Sequence, residues 1–162
     1  MNSVRIVNRA DSPLIPRIAA GAVIALGGLA AVDAFAGSLA GFTLFDLRWS
    51  EADNKLGIPA LTEQVLRICF WHNLIWVPLR VAAAIAVYRG SRIARIGAIV
   101  VELVAVAVWV PTFFITVDAR GISSALDQIA VVQFAAAVCV AGSIAAIGLL
   151  STYGTRSWCD RP

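Results

Sequence analysis

Apolar residues form four long runs along the chain, and polar residues separate the runs. The runs cover about 18–41, 68–88, 96–117 and 129–150. Each is close to the ~20 residues that an α-helix needs to cross a hydrocarbon core of ~30 Å. The pattern therefore predicts four membrane-spanning helices, with the longest connection, 42–67, between the first two. Gly57 and Pro59 interrupt this connection, and after them a short interfacial helix that leads into span two is expected, with the apolar residues Ala60, Leu61, Val65 and Leu66.

Composition agrees with a bilayer environment. Of the 162 residues, 60% are hydrophobic and the mean hydropathy is +0.84, whereas soluble domains are about 45 to 50% apolar. Short links make successive helices antiparallel neighbours. The predicted fold class is an all-α membrane protein, an antiparallel four-helix bundle that forms one domain over residues 1–162.

Arginine is distributed unevenly between the two predicted sides of the membrane. One side carries basic residues with few acidic ones, while on the other side acidic residues balance the basic ones. Because an excess of Lys and Arg marks the cytoplasmic face, both termini are predicted to be cytoplasmic and 42–67 to be an outer loop. A multi-pass protein of the inner (plasma) membrane is expected, and no nucleic-acid binding. The basic residues on the predicted inner side are Arg5, Arg9, Arg17, Arg89, Arg92, Arg95, Arg156 and Arg161.

The first run has an alternative interpretation as a secretory signal. A basic head, an apolar stretch and Ala34-Phe35-Ala36 resemble a signal with a small-residue cleavage site. The apolar stretch continues past that site to Phe45, and Asp33 would lie beside the cleaved bond. An uncleaved first span is therefore favoured.

Placing an ionisable side chain inside a bilayer costs free energy, so the ionisable residues inside the apolar runs are expected to be paired. Spans two and three form a hairpin around 89–95, so residues equidistant from its centre lie at the same depth. Arg80 and Glu102 are such a pair, ~12 Å from the inner edge at ~1.5 Å per residue. The sequence predicts a buried ion pair between them.

A second candidate pair lies nearer the outer face. Asp33 and His72 fall at similar predicted depths in spans one and two. His72, Trp76 and Arg80 follow an i, i+4, i+8 spacing, which places them on one stripe of span two. This stripe is predicted to face the interior of the bundle, where it fixes helix register or lines a path for protons or ions.

Two prolines interrupt the predicted spans. Pro78 cannot donate a hydrogen bond to the carbonyl of Leu74, and Pro111 cannot donate one to Ala107. A bend or a free acceptor is expected at each.

Aromatic residues are concentrated in the outer half. Most fit the belt that anchors spans at the headgroups. Phe35, Trp76 and Trp109 lie deeper and share their level with Asp33 and His72. These three residues are the candidate lining of an outer pocket for a lipid or quinone-like ligand.

Small residues recur every four positions in two spans. Gly37 and Gly41 do so in span one, and Ala137, Ala141 and Ala145 do so in span four. Such faces permit close backbone approach, within the bundle or in self-association.

Motifs for catalysis or cofactor binding are absent from the sequence. A single histidine is incompatible with bis-His haem ligation or a His-rich metal site, and no CxxC, P-loop, GxSxG or HExxH occurs. No enzyme activity, metal or cofactor is predicted.

The link "VYRGSRIARIGAIV" carries Arg89, Gly90, Arg92 and Arg95. It resembles the cytoplasmic turn of many small four-span bacterial integral membrane proteins, which often have an Arg-Gly-x-Arg-x-x-Arg stretch between spans two and three. The resemblance implies the fold and the membrane location, and it brings no catalytic residues.

Two functions from different classes are compatible with these patterns. The first is an accessory or scaffolding subunit that contacts other membrane components, either a partner membrane protein or a second copy. The second is a homo-oligomeric transporter or proton-linked channel that uses Asp33, His72, Arg80 and Glu102.

Overall fold

The computed structural model describes residues 21, 25, 28, 31–32, 34–44, 57–118 and 123–160. Within these residues the regular structure is helical, apart from one isolated bridge between Gly57 and Asp118. The helices are α1 (Ala34–Leu44), α2 (Ala60–Tyr88), α3 (Arg92–Trp109), α4 (Ser123–Ser151) and α5 (Tyr153–Cys159), and a 3₁₀ segment covers Val110–Phe114.

Three helical segments are long and apolar enough to cross a membrane, as expected of a membrane protein. They are Ala60–Tyr88, Arg92–Phe114 and Ser124–Ser151. α1 is a shorter apolar helix. It extends past the predicted end of the first run at residue 41, and most of the earlier part of that run lies outside the described residues.

α2 begins eight residues before the predicted start of span two. Pro59 precedes its first turn in an extended conformation, and Glu63 places negative charge in that turn, where the helix dipole favours it. Glu63 also accepts a hydrogen bond from Arg67, one turn further on. The last part of the predicted outer loop 42–67 is therefore helical. The helix continues through Pro78 to Tyr88.

The turn between α2 and α3 requires a glycine. Gly90 has a φ of 84°, in the left-handed region. Ser91 then caps α3 by accepting a hydrogen bond from the backbone N–H of Ala94 at 3.2 Å. This tight turn folds α3 back along α2. α3 ends at Trp109, two residues before Pro111, and the chain tightens into the 3₁₀ segment.

α4 packs on α3 and α1 through a face that does not include its small residues Ala137, Ala141 and Ala145, spaced four apart. Its buried side includes Ala135, Ala136, Cys139, Ser143 and Ala146. The predicted close-approach face is instead exposed. Its members are Ala137, Ala141 and Ala145.

Close backbone approach does occur between α1 and α4, at Gly37. A Cβ built on Gly37 would lie 2.9 Å from the Cβ of Ala135. Gly41, one turn later, contacts Leu66 of α2. The prediction that these glycines permit close helix contact is confirmed for the α1 face.

α5 closes the end of the bundle that the charge pattern predicts to be cytoplasmic. The indole N–H of Trp158 donates to the carbonyl of Tyr88 at 3.3 Å, and Cys159 is buried against Val87. At the opposite end, Gly57 and Asp118 exchange backbone hydrogen bonds of 2.9 and 3.0 Å.

Candidate functional site: the polar seam and the grooves beside it

Arg80 of α2 and Glu102 of α3 form an ion pair inside the bundle. Arg80 Nε lies 2.6 Å from Glu102 Oε1, and the residues are 4% and 2% exposed. The tight turn at Gly90 places α2 and α3 side by side, so Arg80 and Glu102 lie at similar distances from the turn and face each other. At this depth in a bilayer, burying two charges as an ion pair inside the bundle costs less free energy than exposing either charge to lipid.

The stripe predicted on α2 forms a continuous stack. The guanidinium carbon of Arg80 lies 4.6 Å from the ring centroid of Trp76, which is cation–π distance. On the other side, Trp76 stacks on His72 with centroids 5.6 Å apart and an interplanar angle of 26°. We call His72, Trp76, Arg80 and Glu102 the polar seam. Trp76, Arg80 and Glu102 are buried, and His72 is half-buried.

Two side chains of α4 complete the surroundings of the ion pair. Ser143, fully buried, faces the carboxylate of Glu102, and Cys139 lies near Arg80. The sequence analysis assigned neither residue. Ser143 could have been found, since it is a lone hydroxyl among apolar residues in the middle of the last span.

The polar seam keeps unused hydrogen-bonding capacity. Both Nη atoms of Arg80 and Oε2 of Glu102 are buried without a hydrogen-bond partner among the described residues. The arrangement supplies no nucleophile with an adjacent base and no open coordination position. It can hold two helices in one register and neutralise charge, and it retains donors and an acceptor for a polar neighbour.

Asp33, the predicted partner of His72, is not among the residues that the structure describes. The observed polar contact between α1 and α2 is made by the next residue, Asn73. Its Nδ2 donates to the carbonyl of Ala34 at 3.0 Å and to Ser38 Oγ at 2.9 Å. Ser38 donates to the same carbonyl. This contact was not predicted, although Asn73 is a polar residue within an apolar run.

The three aromatic residues predicted to line one outer pocket are separated. Phe35 is 64% exposed and lines the deeper of two adjoining cavities beside α1 and α2, whereas Trp109 is 1% exposed and lines the shallower one. Trp76 is enclosed in the polar seam. The common depth of these residues could be read from the sequence, whereas the directions of Phe35 and Trp109 around their helices could not.

Two cavities lie along the contact between α1 and α2. The first, of about 360 Å³, is near the start of α2 and has Glu63 and Arg67 in its lining. The second, of about 450 Å³, is deeper and reaches Leu74 and Pro78. Ser38 and Phe70 line both.

In the part of the chain that the structure describes, no group of three or more His, Cys, Asp or Glu side chains could hold a metal ion. No protein-family model, curated protein or solved structure matches the chain.

Proposed function

We propose that the protein is a non-enzymatic, four-span protein of the inner membrane with both termini in the cytoplasm. It acts as an accessory or scaffolding subunit through contacts with other membrane components. The resemblance of the turn at Arg89, Gly90, Arg92 and Arg95 to small bacterial four-span proteins supports the layout. The single observation that supports the function best is the internal use of the polar groups.

The two charges of the polar seam are paired with each other inside the bundle. Arg80 and Glu102 neutralise each other, and Trp76 covers the guanidinium. Their burial at 4% and 2% exposure leaves neither charge on a surface where a substrate would meet it. In a lipid bilayer there is no hydrophobic driving force between helices, so buried polar contacts of this kind fix how the helices align with one another.

The exposed side of α4 offers a surface for another helix. Ala137, Ala141 and Ala145 recur every four residues and are exposed, and a Cβ added to Gly148 would have no atom within 4 Å. Small residues at this spacing let two membrane helices approach closely. This face is available to a partner protein or to a second copy.

Cross-linking in native membranes, followed by purification in mild detergent, tests the proposal. The wild-type chain is expected to carry a reproducible cross-linked partner or a second copy of itself. Ala141→Phe should remove that product by filling the exposed face. Ala82→Phe, at an exposed alanine of α2, is the matched control and should keep it. Recovery of the wild-type protein alone and monomeric would overturn the proposal.

A proton-linked transporter is the second candidate, and the continuous stack from His72 to Glu102 is the observation that favours it. The enclosure of Arg80 and Glu102 weighs against it. Proton flux into vesicles separates the two candidates. Equal flux for the wild type and Asp33→Asn would exclude the transporter role assigned to Asp33.

A further inference from the structure

The two cavities beside α1 and α2 are successive parts of one groove. On α2 the lining residues Glu63, Phe70, Leu74 and Pro78 recur at intervals of seven, four and four residues, so they follow one side of the helix. Ser38 of α1 lines both cavities, as Phe70 does. We call this feature the α1–α2 groove.

The length of the groove matches one leaflet of a bilayer. Arg67 lies one residue before the apolar run of span two, at the level of the headgroups. Pro78 follows eleven residues later, which corresponds to ~16 Å along the helix. Half of a ~30 Å hydrocarbon core is ~15 Å. The groove therefore runs from the headgroup level to about the middle of the bilayer.

The walls of the groove are mostly apolar and its rim is charged; the polar wall residues Ser38 and Asn73 are hydrogen-bonded to each other. Phe70, Leu74 and Pro78 line its length, and Gly41 contributes no side chain to its upper part. At the rim, Arg67 Nη2 lies 2.7 Å from Glu63 Oε1. The Arg67 side chain is 69% exposed and that of Glu63 is 28% exposed, so both charges can be reached from the surface.

We propose that the α1–α2 groove binds one acyl chain of a phospholipid whose headgroup carries both a phosphate and a primary ammonium. Arg67 donates hydrogen bonds to the phosphate, as guanidinium groups do to oxyanions. The carboxylate of Glu63 accepts hydrogen bonds from the ammonium. The two rim charges cancel, so a zwitterionic headgroup complements them better than an anionic one. This lipid site is independent of the partner surface on α4.

Native mass spectrometry of the full chain tests the headgroup. The protein is released from mixed micelles that contain equal amounts of dioleoylphosphatidylethanolamine, dioleoylphosphatidylcholine and dioleoylphosphatidylglycerol. We expect the ethanolamine lipid to be retained about threefold or more over each of the others, because choline cannot donate to Glu63 and glycerol supplies no cation. Arg67→Gln should lower its retention about fivefold. Arg89→Gln, the same change at the other end of α2, should leave it unchanged.

A second pair of variants tests the groove itself. Leu74→Trp places a bulky side chain in the deeper cavity and should abolish preferential retention of the ethanolamine lipid. Ile75→Trp, at the neighbouring exposed position outside the groove lining, should preserve it. Both positions are exposed, so neither change disturbs the packed interior. Equal retention of the three lipids, or identical behaviour of the two Trp variants, would overturn the proposal. The proposal would also be overturned if Leu74→Trp removed a cross-linked protein partner and left lipid retention unchanged.

Discussion

The guanidinium of Arg80 lies over the indole ring of Trp76, one helical turn away, with Cζ 4.6 Å from the ring centroid. The same side chain meets Glu102 on the neighbouring helix through Nε. Trp76 thus covers one face of the cation while Glu102 neutralises it. The contact explains why a deeply placed tryptophan is buried beside a charge instead of standing at the headgroup level with the other aromatic residues.

Replacement of Trp76 tests the cation–π contact. Trp76→Leu should lower the free energy of unfolding by about 2 kcal/mol more than Trp76→Phe, because phenylalanine keeps an aromatic face for the desolvated guanidinium. Thermal unfolding of the two variants in the same detergent measures the difference. Equal losses of unfolding free energy in the two variants would show that Trp76 stabilises the bundle by packing and that the cation–π contact adds nothing.

The contact between α1 and α4 depends on the missing side chain of Gly37. Gly37→Ala should lower the free energy of unfolding by about 1 to 3 kcal/mol, since the new Cβ would lie 2.9 Å from that of Ala135. Gly97→Ala is the matched control, because a Cβ there meets nothing within 4 Å. It should be neutral or stabilising by up to ~1 kcal/mol. Similar effects of both variants in detergent unfolding would contradict this account of the α1–α4 contact.

Cys159 provides a pH-dependent test of the docking of α5. Burial raises the pKa of its thiol above the ordinary value, Asp160 adds to this and Arg95 opposes it. Because the thiolate is the reactive form, alkylation of Cys159 should begin at a higher pH than that of an exposed thiol. Tyr153→Cys, at a 75% exposed position of the same helix, supplies the comparison. Coincident pH–rate profiles would show that α5 leaves Cys159 open to solvent.

Membrane orientation can be tested with two introduced cysteines. All three native cysteines are buried, so they give little background. An impermeant maleimide added to intact cells should label Ala60→Cys, at the predicted outer end of α2, and should leave Tyr153→Cys unlabelled. Labelling of Tyr153→Cys alone would reverse the proposed topology.

The sequence predicted those features that depend on depth along the helices. Counting outward from the hairpin at Gly90 placed Arg80 level with Glu102, and the structure joins them. The apolar runs predicted the three long helices, with errors at their ends. The residues after Pro59 were predicted to form a short interfacial helix that leads into span two, and in the structure they are the first turns of α2 itself.

Features that depend on direction around a helix were predicted only where polar residues mark one face, as His72, Trp76 and Arg80 do on α2. Ala137 and its repeats in α4 have the spacing of a packed face, yet they are exposed, because α4 is apolar on all sides and carries no periodic signal. Phe35 of α1, predicted to line a pocket, is likewise 64% exposed. The partner of Asn73 depends on how α1 crosses α2, which no local pattern encodes.

A double-mutant cycle on Arg80 and Glu102 tests the central claim, that the polar seam is a structural element that holds α2 and α3 in register. The free energy of unfolding in detergent is measured for Arg80→Met, Glu102→Met and the double variant. Each single change leaves an unpaired buried charge and should cost up to ~3 to 5 kcal/mol, while the double variant should cost clearly less than either. Additive losses, with the double variant the least stable of the three, would contradict the claim.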